Sequence, residues 1–418
     1  MEISNEQPGT LDKRVLRFRK VEVVTEPVGS GETTVGPVLE EDSGSTFKVP
    51  YTTILNITPH NNADRLEVCW VYGFQVVAQK GKYQVGDKVV YVPIDSILPQ
   101  WLEDRLFPAD SKIKLNKHRV RQIRIRKIAS QGMLIDPIDV ADKSGTKVQL
   151  EQDLKVILGI TKYEPPAAGP SSTLGQGKNR NKKHEHPLFH KYNGLDNIKW
   201  FPDLFKEGET EVVFQEKLHG TNARASILPY VANTFYKKVL QFFRLAPQVE
   251  HCYGSNNVQK SVGTANTAHF YDEDVWGNCF KAMDVFSKIK LGEIVFGEIV
   301  GPGIQNNYDY GLKEHRFVVF DVKVLQPDGK FKWLTPDEVA AYCKEREFEH
   351  VPVLYKGKYY RDLAYSFTKG NSVYCPKQKV REGIVIKDAK EYDFGGNKRA
   401  LKWVSEEYLD DDTNSDNH

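Results

Sequence analysis

Glu216-Lys217-Leu218-His219-Gly220-Thr221-Asn222 sets a lysine behind the run Glu211-Val212-Val213-Phe214, which reads as a strand, and ahead of a small polar turn. A lysine becomes nucleophilic when desolvation or nearby positive charge holds it in the neutral form. A glycine three residues on lets the backbone approach a bulky electrophile such as a nucleotide phosphate. Lys-x-x-Gly alone carries little, because a surface turn has the same spacing. Its weight comes from partners downstream.

Three segments supply them. Gly297-Glu298-Ile299-Val300-Gly301 follows Ile294-Val295-Phe296 and puts a carboxylate at a strand end, where it suits a ribose hydroxyl or a metal. Phe317-Val318-Val319-Phe320-Asp321-Val322 has the pattern of a buried strand with aromatic residues. Glu382-Gly383-Ile384-Val385-Ile386-Lys387 brackets a short apolar strand with a carboxylate and a lysine, and Lys398-Arg399-Ala400-Leu401-Lys402-Trp403-Val404 follows it. Taken singly, a Glu or Lys at a strand end is a solvated charge, Phe320 is core and His219 caps a turn. Their order along the chain is what makes them one nucleotide site.

The set resembles the covalent nucleotidyltransferases, the superfamily of ATP-dependent ligases and messenger-RNA capping enzymes. Within it, Glu-Lys-Leu-His-Gly-Thr-Asn is similar to the RNA ligases, since DNA ligases and capping enzymes usually carry aspartate where His219 stands. The resemblance implies that Lys217 is adenylated and that His219 and Asn222 help pass AMP to an RNA 5′-phosphate. It implies an ATP site made by Glu216, Lys217, Glu298, Phe320, Glu382, Lys387 and Lys402. Within that site Glu298 would hold the ribose, Phe320 would stack on adenine, and Lys387 and Lys402 would touch phosphate. Glu382, with Glu298, would organise Mg²⁺ or Mn²⁺. Phosphoryl transfer needs charge neutralisation and in-line positioning, which lysines and a divalent cation supply.

The chain departs from the family pattern twice. An arginine usually follows a Gly-Ser after the nucleophile, but Tyr253-Gly254-Ser255-Asn256-Asn257-Val258 offers asparagines, so its replacement is open. The last motif usually has two lysines one residue apart, whereas here Lys402 stands with Lys398 and Arg399 further back.

The 418 residues are enough for two or three domains with sizeable cores. Hydrophobic content of 40% and charged content of 27% are those of an ordinary globular protein. Met1 to Thr10 lacks the basic and apolar parts of a secretory signal, and no apolar run reaches membrane-spanning length, so a soluble intracellular protein of cytoplasm or nucleus is expected. Cys69, Cys252, Cys279, Cys343 and Cys375 are scattered and form no Cys-x-x-Cys pair, which argues against structural zinc and a disulfide framework.

A net charge of +2 says nothing about nucleic acid, but its distribution is uneven. Lys112, Lys114, Lys117, Arg119, Arg121, Arg124, Arg126 and Lys127 crowd one acid-free stretch. In Ile123-Arg124-Ile125-Arg126 the period of two predicts isoleucines on one strand face and arginines on the other. Such a stripe is either a solvated strand edge or a contact for RNA phosphates, and the motifs downstream favour RNA binding by Arg119, Arg121, Arg124 and Arg126.

Upstream, Ile54–Ile57, Leu66–Val71, Phe74–Ala78 and Lys88–Val92 are candidate strands separated by Gly73, Gly81 and Gly86-Asp87, which suggests a small barrel. Thr58-Pro59-His60-Asn61-Asn62-Ala63-Asp64-Arg65-Leu66-Glu67-Val68 resembles the opening of oligonucleotide-binding (OB) folds. With Tyr83-Gln84-Val85-Gly86-Asp87 it is similar to the amino-terminal domain of RNA ligases of the Deinococcus and Naegleria type. Tyr163 to His190, with Pro165-Pro166 and a basic tract at 177–183, reads as a linker. Thr335-Pro336-Asp337-Glu338 predicts a helix start, and Asp410-Asp411-Asp412 an acidic tail.

The expected fold class is therefore α+β: an N-terminal all-β OB-fold barrel followed by an antiparallel-sheet nucleotidyltransferase domain. The expected boundaries are 1–160 for the OB domain, 161–190 for a flexible basic linker, 191–408 for the adenylyltransferase domain and 409–418 for the tail. The expected function is ATP-dependent sealing of RNA 3′-hydroxyl and 5′-phosphate ends, in nicked duplex, by a monomer. The alternatives are an OB-fold RNA-binding protein with a degenerate nucleotidyltransferase domain, or a GTP-dependent capping-type enzyme.

Overall fold

The larger of two antiparallel sheets in the C-terminal half runs Gln259–Ser261, Val249–Gly254, Thr221–Pro229, Glu293–Val300, Arg316–Leu325 and Phe331–Trp333, with Glu349–His350 added parallel to Arg316–Leu325. The smaller sheet orders Val353–Lys358, Glu211–Lys217, Gly383–Asp388 and Ala400–Val404. The computed structural model describes residues 47–108, 111, 114–137, 148–163, 186–231, 243, 248–256, 259–261, 274–305, 308–411 and 414. Lys112, Asn257, Val258, Asp412 and the linker residues 164–185 lie outside them.

Alternation along each strand decides what each sheet face buries. In the smaller sheet Val212, Phe214, Ile384, Ile386, Leu401 and Trp403 form a core with the helix Arg361–Phe367. Their neighbours Lys217, Val385 and Lys402 are therefore on the opposite face. In the larger sheet Ala223, Ala225, Val295, Ile299, Phe317 and Val319 pack on the helices Val275–Ala282 and Pro336–Glu345. That places Asn222, Arg224, Phe296 and Glu298 on the other face. The second helix starts as predicted, with a capping box between Thr335 and Glu338 and proline in its first turn.

Among its described residues the N-terminal half is mostly β, with the helix Gln100–Leu106 and shorter helical turns. Asn56–Pro59, Leu66–Val71 and Phe74–Gln79 form one antiparallel sheet, and Tyr51–Thr53, Lys88–Val92 and Met133–Ile135 another. Each predicted strand is present, although Ile54 and Leu55 precede theirs. The domain runs past the expected boundary at 160. Thr161–Lys162 pairs with Ser96–Ile97, and Tyr163 N donates to Asp95 O, so this half ends at least at Tyr163.

The two halves lie within one contact unit, Gly44–His418. Trp200 inserts its ring among Tyr72, Phe74 and Tyr91, with centroids 4.9, 4.8 and 5.6 Å away. Each such pair contributes about 0.5–1.5 kcal/mol beyond area burial. Gly73 N donates to Lys199 O, and a Cβ on Gly73 would sit 2.9 Å from Lys199 Cα, so glycine is what lets the chains meet there. Among the described residues no helix is long and apolar enough to cross a membrane.

His350 is held neutral between the sheets. Burial, with Lys387 adding, pushes its pKa from the usual 6.5 down to about 4. The unfolded chain thus takes up a proton that the folded chain refuses. The stability this gives is full above about pH 6.5 and is lost as pH falls toward 4. Urea unfolding at pH 7 and pH 5 should show a loss on the order of 1–2 kcal/mol from this residue, and His350→Gln should remove that part.

Candidate active site

Lys217 ends its strand on the face turned toward the larger sheet, and its Nζ donates to Glu382 Oε1 at 2.5 Å. Glu382 is 1% exposed and sits next to Gly383, the Cα partner of Lys217 across the sheet. Its other oxygen lies 3.9 Å from His219 Nδ1. Glu298 approaches from the larger sheet. Its carboxyl is pushed up to about 8, mainly by burial, with Lys217 opposing the rise and Glu382 adding to it. One amine, two carboxylates and one imidazole thus converge between the sheets.

Gly220 is required here, but not for the reason the sequence suggests. A Cβ at this position would lie 2.3 Å from Ile299 O and 2.8 Å from Glu298 Cγ. The glycine lets the lysine turn meet the strand that carries Glu298, rather than opening the backbone to phosphate. Glu298 itself lies within the strand Glu293–Val300, not at its end.

Asn222 is the Cα partner of Glu298, and its Oδ1 is buried without a hydrogen-bond partner. A buried acceptor left unpaired costs about 1–3 kcal/mol, so it marks a place where a donor or cation is missing. Among the described residues no group of three or more His, Cys, Asp or Glu is placed to hold a metal ion. An all-oxygen set of two carboxylates and an amide still suits a hard cation that takes its remaining ligands from phosphate and water. The residues present fit such an ion.

His219 is enclosed. It is 4% exposed, its backbone N–H bonds to Tyr310 Oη at 2.8 Å, and its ring meets those of Tyr308 and Tyr408 edge-on at 4.8 and 5.3 Å. Neither the Tyr308-Asp309-Tyr310 segment nor Tyr408 was singled out from the sequence. The spaced tyrosines at 308 and 310 were the available signal.

Several sequence assignments need correction. Glu216 is on the opposite face from Lys217, where its carboxylate accepts from Val373 N and Tyr374 N at 2.7 and 3.1 Å. It braces the 372–375 loop and is not aimed into the space between the sheets. Lys387 is 1% exposed, and its ammonium donates to Phe320 O at 2.6 Å and Asp321 Oδ1 at 2.8 Å. Its charge is taken up inside the protein rather than offered to phosphate. Asp321, which sequence reading treated only as part of a strand, also accepts from Tyr192 and Tyr392. Phe320 is half-buried beside this hub, with Tyr192 edge-on at 4.9 Å. Lys402 shares the sheet face of Lys217, whereas Lys398 lies over the Tyr192 ring.

The segment that lacks the expected arginine is reached by another one. Arg224, 1% exposed, donates to Ser255 O, Asn256 O and Phe189 O. Asn256 Oδ1 in turn accepts from Tyr192 N. These groups fix the loop beside the cleft.

The basic stripe is also redistributed. Arg119 is buried and pairs with Asp95 at 2.6 Å, which removes it from the RNA-binding set. Arg124 pairs with Asp410 at 2.7 Å. The strand is Gln122–Ile125, and Ile123 is 51% exposed, so the isoleucines do not share a buried face. Arg126 and Lys127 form its turn with positive φ and are exposed, with Arg126 Nη1 weakly bonded to Asn62 O at 3.4 Å. The expected acidic tail begins as structure. Glu406–Leu409 is helical, and Asp410 and Asn414 both contact the OB half.

The family model for RNA ligases matches residues 210–404, the stretch that holds Lys217, Glu298, Asp321, Glu382 and Lys402. Residues 210–404 form a domain of the RNA ligase family. A second family model, for an OB-fold domain, matches residues 49–138. The chain is similar in structure to a Naegleria gruberi RNA ligase with PPi, over 86% of this chain and 97% of that one, at 22% identity and a TM-score of 0.63. A lysine-to-alanine mutant of the Naegleria gruberi ligase with ATP and Mn gives 87% and 98%, again at 22% identity and 0.63. These likenesses show a fold shared across both halves, with the OB domain first.

Proposed function

We propose that this protein is an ATP-dependent RNA ligase that works through a lysyl-AMP intermediate. The observation that carries the reading is Lys217 Nζ held on Glu382, with Glu298 and His219 beside it, inside the residues matched by the RNA ligase family. Similar solved ligases are described with ATP and Mn and with AMP and Mn.

In the first step Lys217 Nζ, as the free amine, bonds to the α-phosphorus of ATP while the bond to the bridging oxygen breaks and pyrophosphate leaves. Glu382 Oε1, already accepting from this amine, is the nearest acceptor for its proton. In the second step an oxygen of the RNA 5′-phosphate bonds to that phosphorus, the P–N bond breaks, and the departing amine regains a proton. In the third the RNA 3′-hydroxyl loses its proton, bonds to the 5′-phosphorus, and AMP leaves. A divalent cation, Mg²⁺ or Mn²⁺, held by Glu298, Glu382 and Asn222 Oδ1, would neutralise charge spread over the phosphate oxygens. Phe320 offers a ring for adenine, and Lys402 a cation for phosphate from the smaller sheet.

On this reading RNA lies across the OB domain, with the exposed Arg126 and Lys127 turn and the half-buried Arg121 on its phosphates. Nicked duplex RNA is the substrate we favour. The monomer is the working form, because the OB domain is docked on the catalytic half of its own chain through Trp200 and Arg124. Its ATP and RNA place its work in the cytoplasm or nucleus.

Joining of 3′-hydroxyl and 5′-phosphate RNA ends in parallel reactions with ATP and with GTP tests the proposal. Sealing with ATP is expected. Sealing with GTP alone, or RNA binding without joining, would replace it with a capping-type or binding-only reading.

A further inference from the structure

We propose that Tyr408 is a positioning residue for His219 in the AMP-transfer step, and that the OB-domain hairpin holds Tyr408 in place through the C-terminal helix. The inference rests on the ligase reading of His219. It adds a residue outside the matched catalytic stretch, which ends at 404.

Tyr408 is 1% exposed, and its hydroxyl lies 3.3 Å from His219 Nδ1 and 3.4 Å from Nε2. The hydroxyl is therefore nearly equidistant from the two ring nitrogens. Further contacts come from the Tyr308 ring at 4.8 Å and from Glu382, 3.9 Å from Nδ1. Tyr308 and Tyr408 also meet each other, with centroids 5.8 Å apart. An imidazole held on these sides has few orientations open to it.

Tyr408 sits on the four-residue helix Glu406–Leu409, too short to be stable alone. What secures it comes from the OB domain. Gln122 Nε2 donates to Glu406 O and to Asp410 Oδ1, both at 2.9 Å, and Arg124 Nε donates to Asp410 Oδ2 at 2.7 Å. Arg119, buried on Asp95, donates to Asn414 O, and Asn414 Nδ2 donates to Tyr408 O at 2.8 Å. Lys199 Nζ, bonded to Gln131 Oε1 on the partner strand of the hairpin, lies 3.9 Å from Glu406. The hairpin thus grips both ends of a one-turn element whose buried side chain ends on the histidine. This accounts for arginines at 119 and 124 that sequence alone assigns to RNA.

The test uses full-length protein in four forms besides wild type: Tyr408→Phe, Asp410→Ala, His219→Ala, and the double variant His219→Ala with Tyr408→Phe. Each is loaded with AMP from ATP and then chased with 5′-phosphorylated RNA, so that loading and transfer are timed separately. Thermal unfolding is recorded for all. Tyr408→Phe keeps the ring and removes only the hydroxyl. It should slow transfer about three- to tenfold, the effect of one hydrogen bond, and leave loading within about twofold. Asp410→Ala, which cuts the Arg124 clamp, should slow transfer in the same direction. In the His219→Ala background, Tyr408→Phe should add nothing, because its effect passes through the ring. Wild-type transfer by Tyr408→Phe alongside slow transfer by His219→Ala overturns the proposal and leaves the ligase reading intact. An equal further loss in the double variant also overturns it, since Tyr408 would then act without His219. Wild-type transfer by His219→Ala removes the histidine reading itself, and this proposal with it.

Discussion

Lys217→Ala stops ATP-dependent RNA sealing, with a fall of more than about a thousandfold, because no other amine can take its place in the chemistry. The side chain lies at the end of one of the two inner strands of the smaller sheet, against Glu382 and within the field of Glu298. Alanine fits a strand end, so the variant should fold, with a lower urea midpoint because the buried Glu382 loses its cation. The loss should be confined to the steps that use the amine. Given RNA whose 5′-end already carries AMP, the variant should still join it to a 3′-hydroxyl, since the third step breaks no bond to lysine. Timed assays with plain and pre-adenylylated RNA separate the two cases. If both reactions fail equally in a well-folded variant, Lys217 is needed for more than nucleophilic attack.

The second large effect is on stability. Asp321 is fully buried and is the anion for three groups at once: Lys387 Nζ at 2.8 Å, Tyr192 Oη at 2.6 Å and Tyr392 Oη at 2.8 Å. Burial alone pushes the Lys387 ammonium down, and Asp321 pulls it back up. Removing only the anion strands a buried cation, which costs about 3–5 kcal/mol. Asp321→Ala should therefore lower the urea midpoint of unfolding by a corresponding amount. Because Lys387 also holds Phe320 O, the same variant should weaken ATP binding as the platform loosens. Asp321→Asn, similar in size but uncharged, should fall between the two. A loss under about 1 kcal/mol for Asp321→Ala would show that the buried pair does not organise this cleft.

Much of the site was legible because it is written in strands. Lys217, Glu298, Glu382 and Lys402 each break an apolar run with a charge, and a charge fixed in a sheet has only two faces to choose between. The same alternation could have shown that Glu216 must lie opposite Lys217. Its carboxylate is buried on backbone N–H groups of a distant loop, which a motif does not show. Lys387 was misread for a related reason. Its strand position is as expected, but the acid that claims it lies 66 residues away on the other sheet. Gly220 was recognised as necessary while its true neighbour, Ile299 O, was not.

The tyrosine cage around His219 was not legible at all. Tyr310 and Tyr408 stand 91 and 189 positions from the histidine, and no local periodicity links them. The arginine stripe failed differently. A period of two assumes a strand with one wet face, but this hairpin is short, turns at Arg126 and Lys127, and spends Arg119 and Arg124 on partners inside the protein. Charge density along the chain showed the cations but could not show that acids at 95 and 410 were waiting for two of them.

Intact-mass measurement of the purified protein after incubation with ATP and Mg²⁺ or Mn²⁺, followed by peptide mapping, tests the central claim most directly. The account predicts one added AMP, carried on Lys217 and released when 5′-phosphorylated RNA is supplied. Absence of the adduct, or its attachment to any other residue, would contradict it.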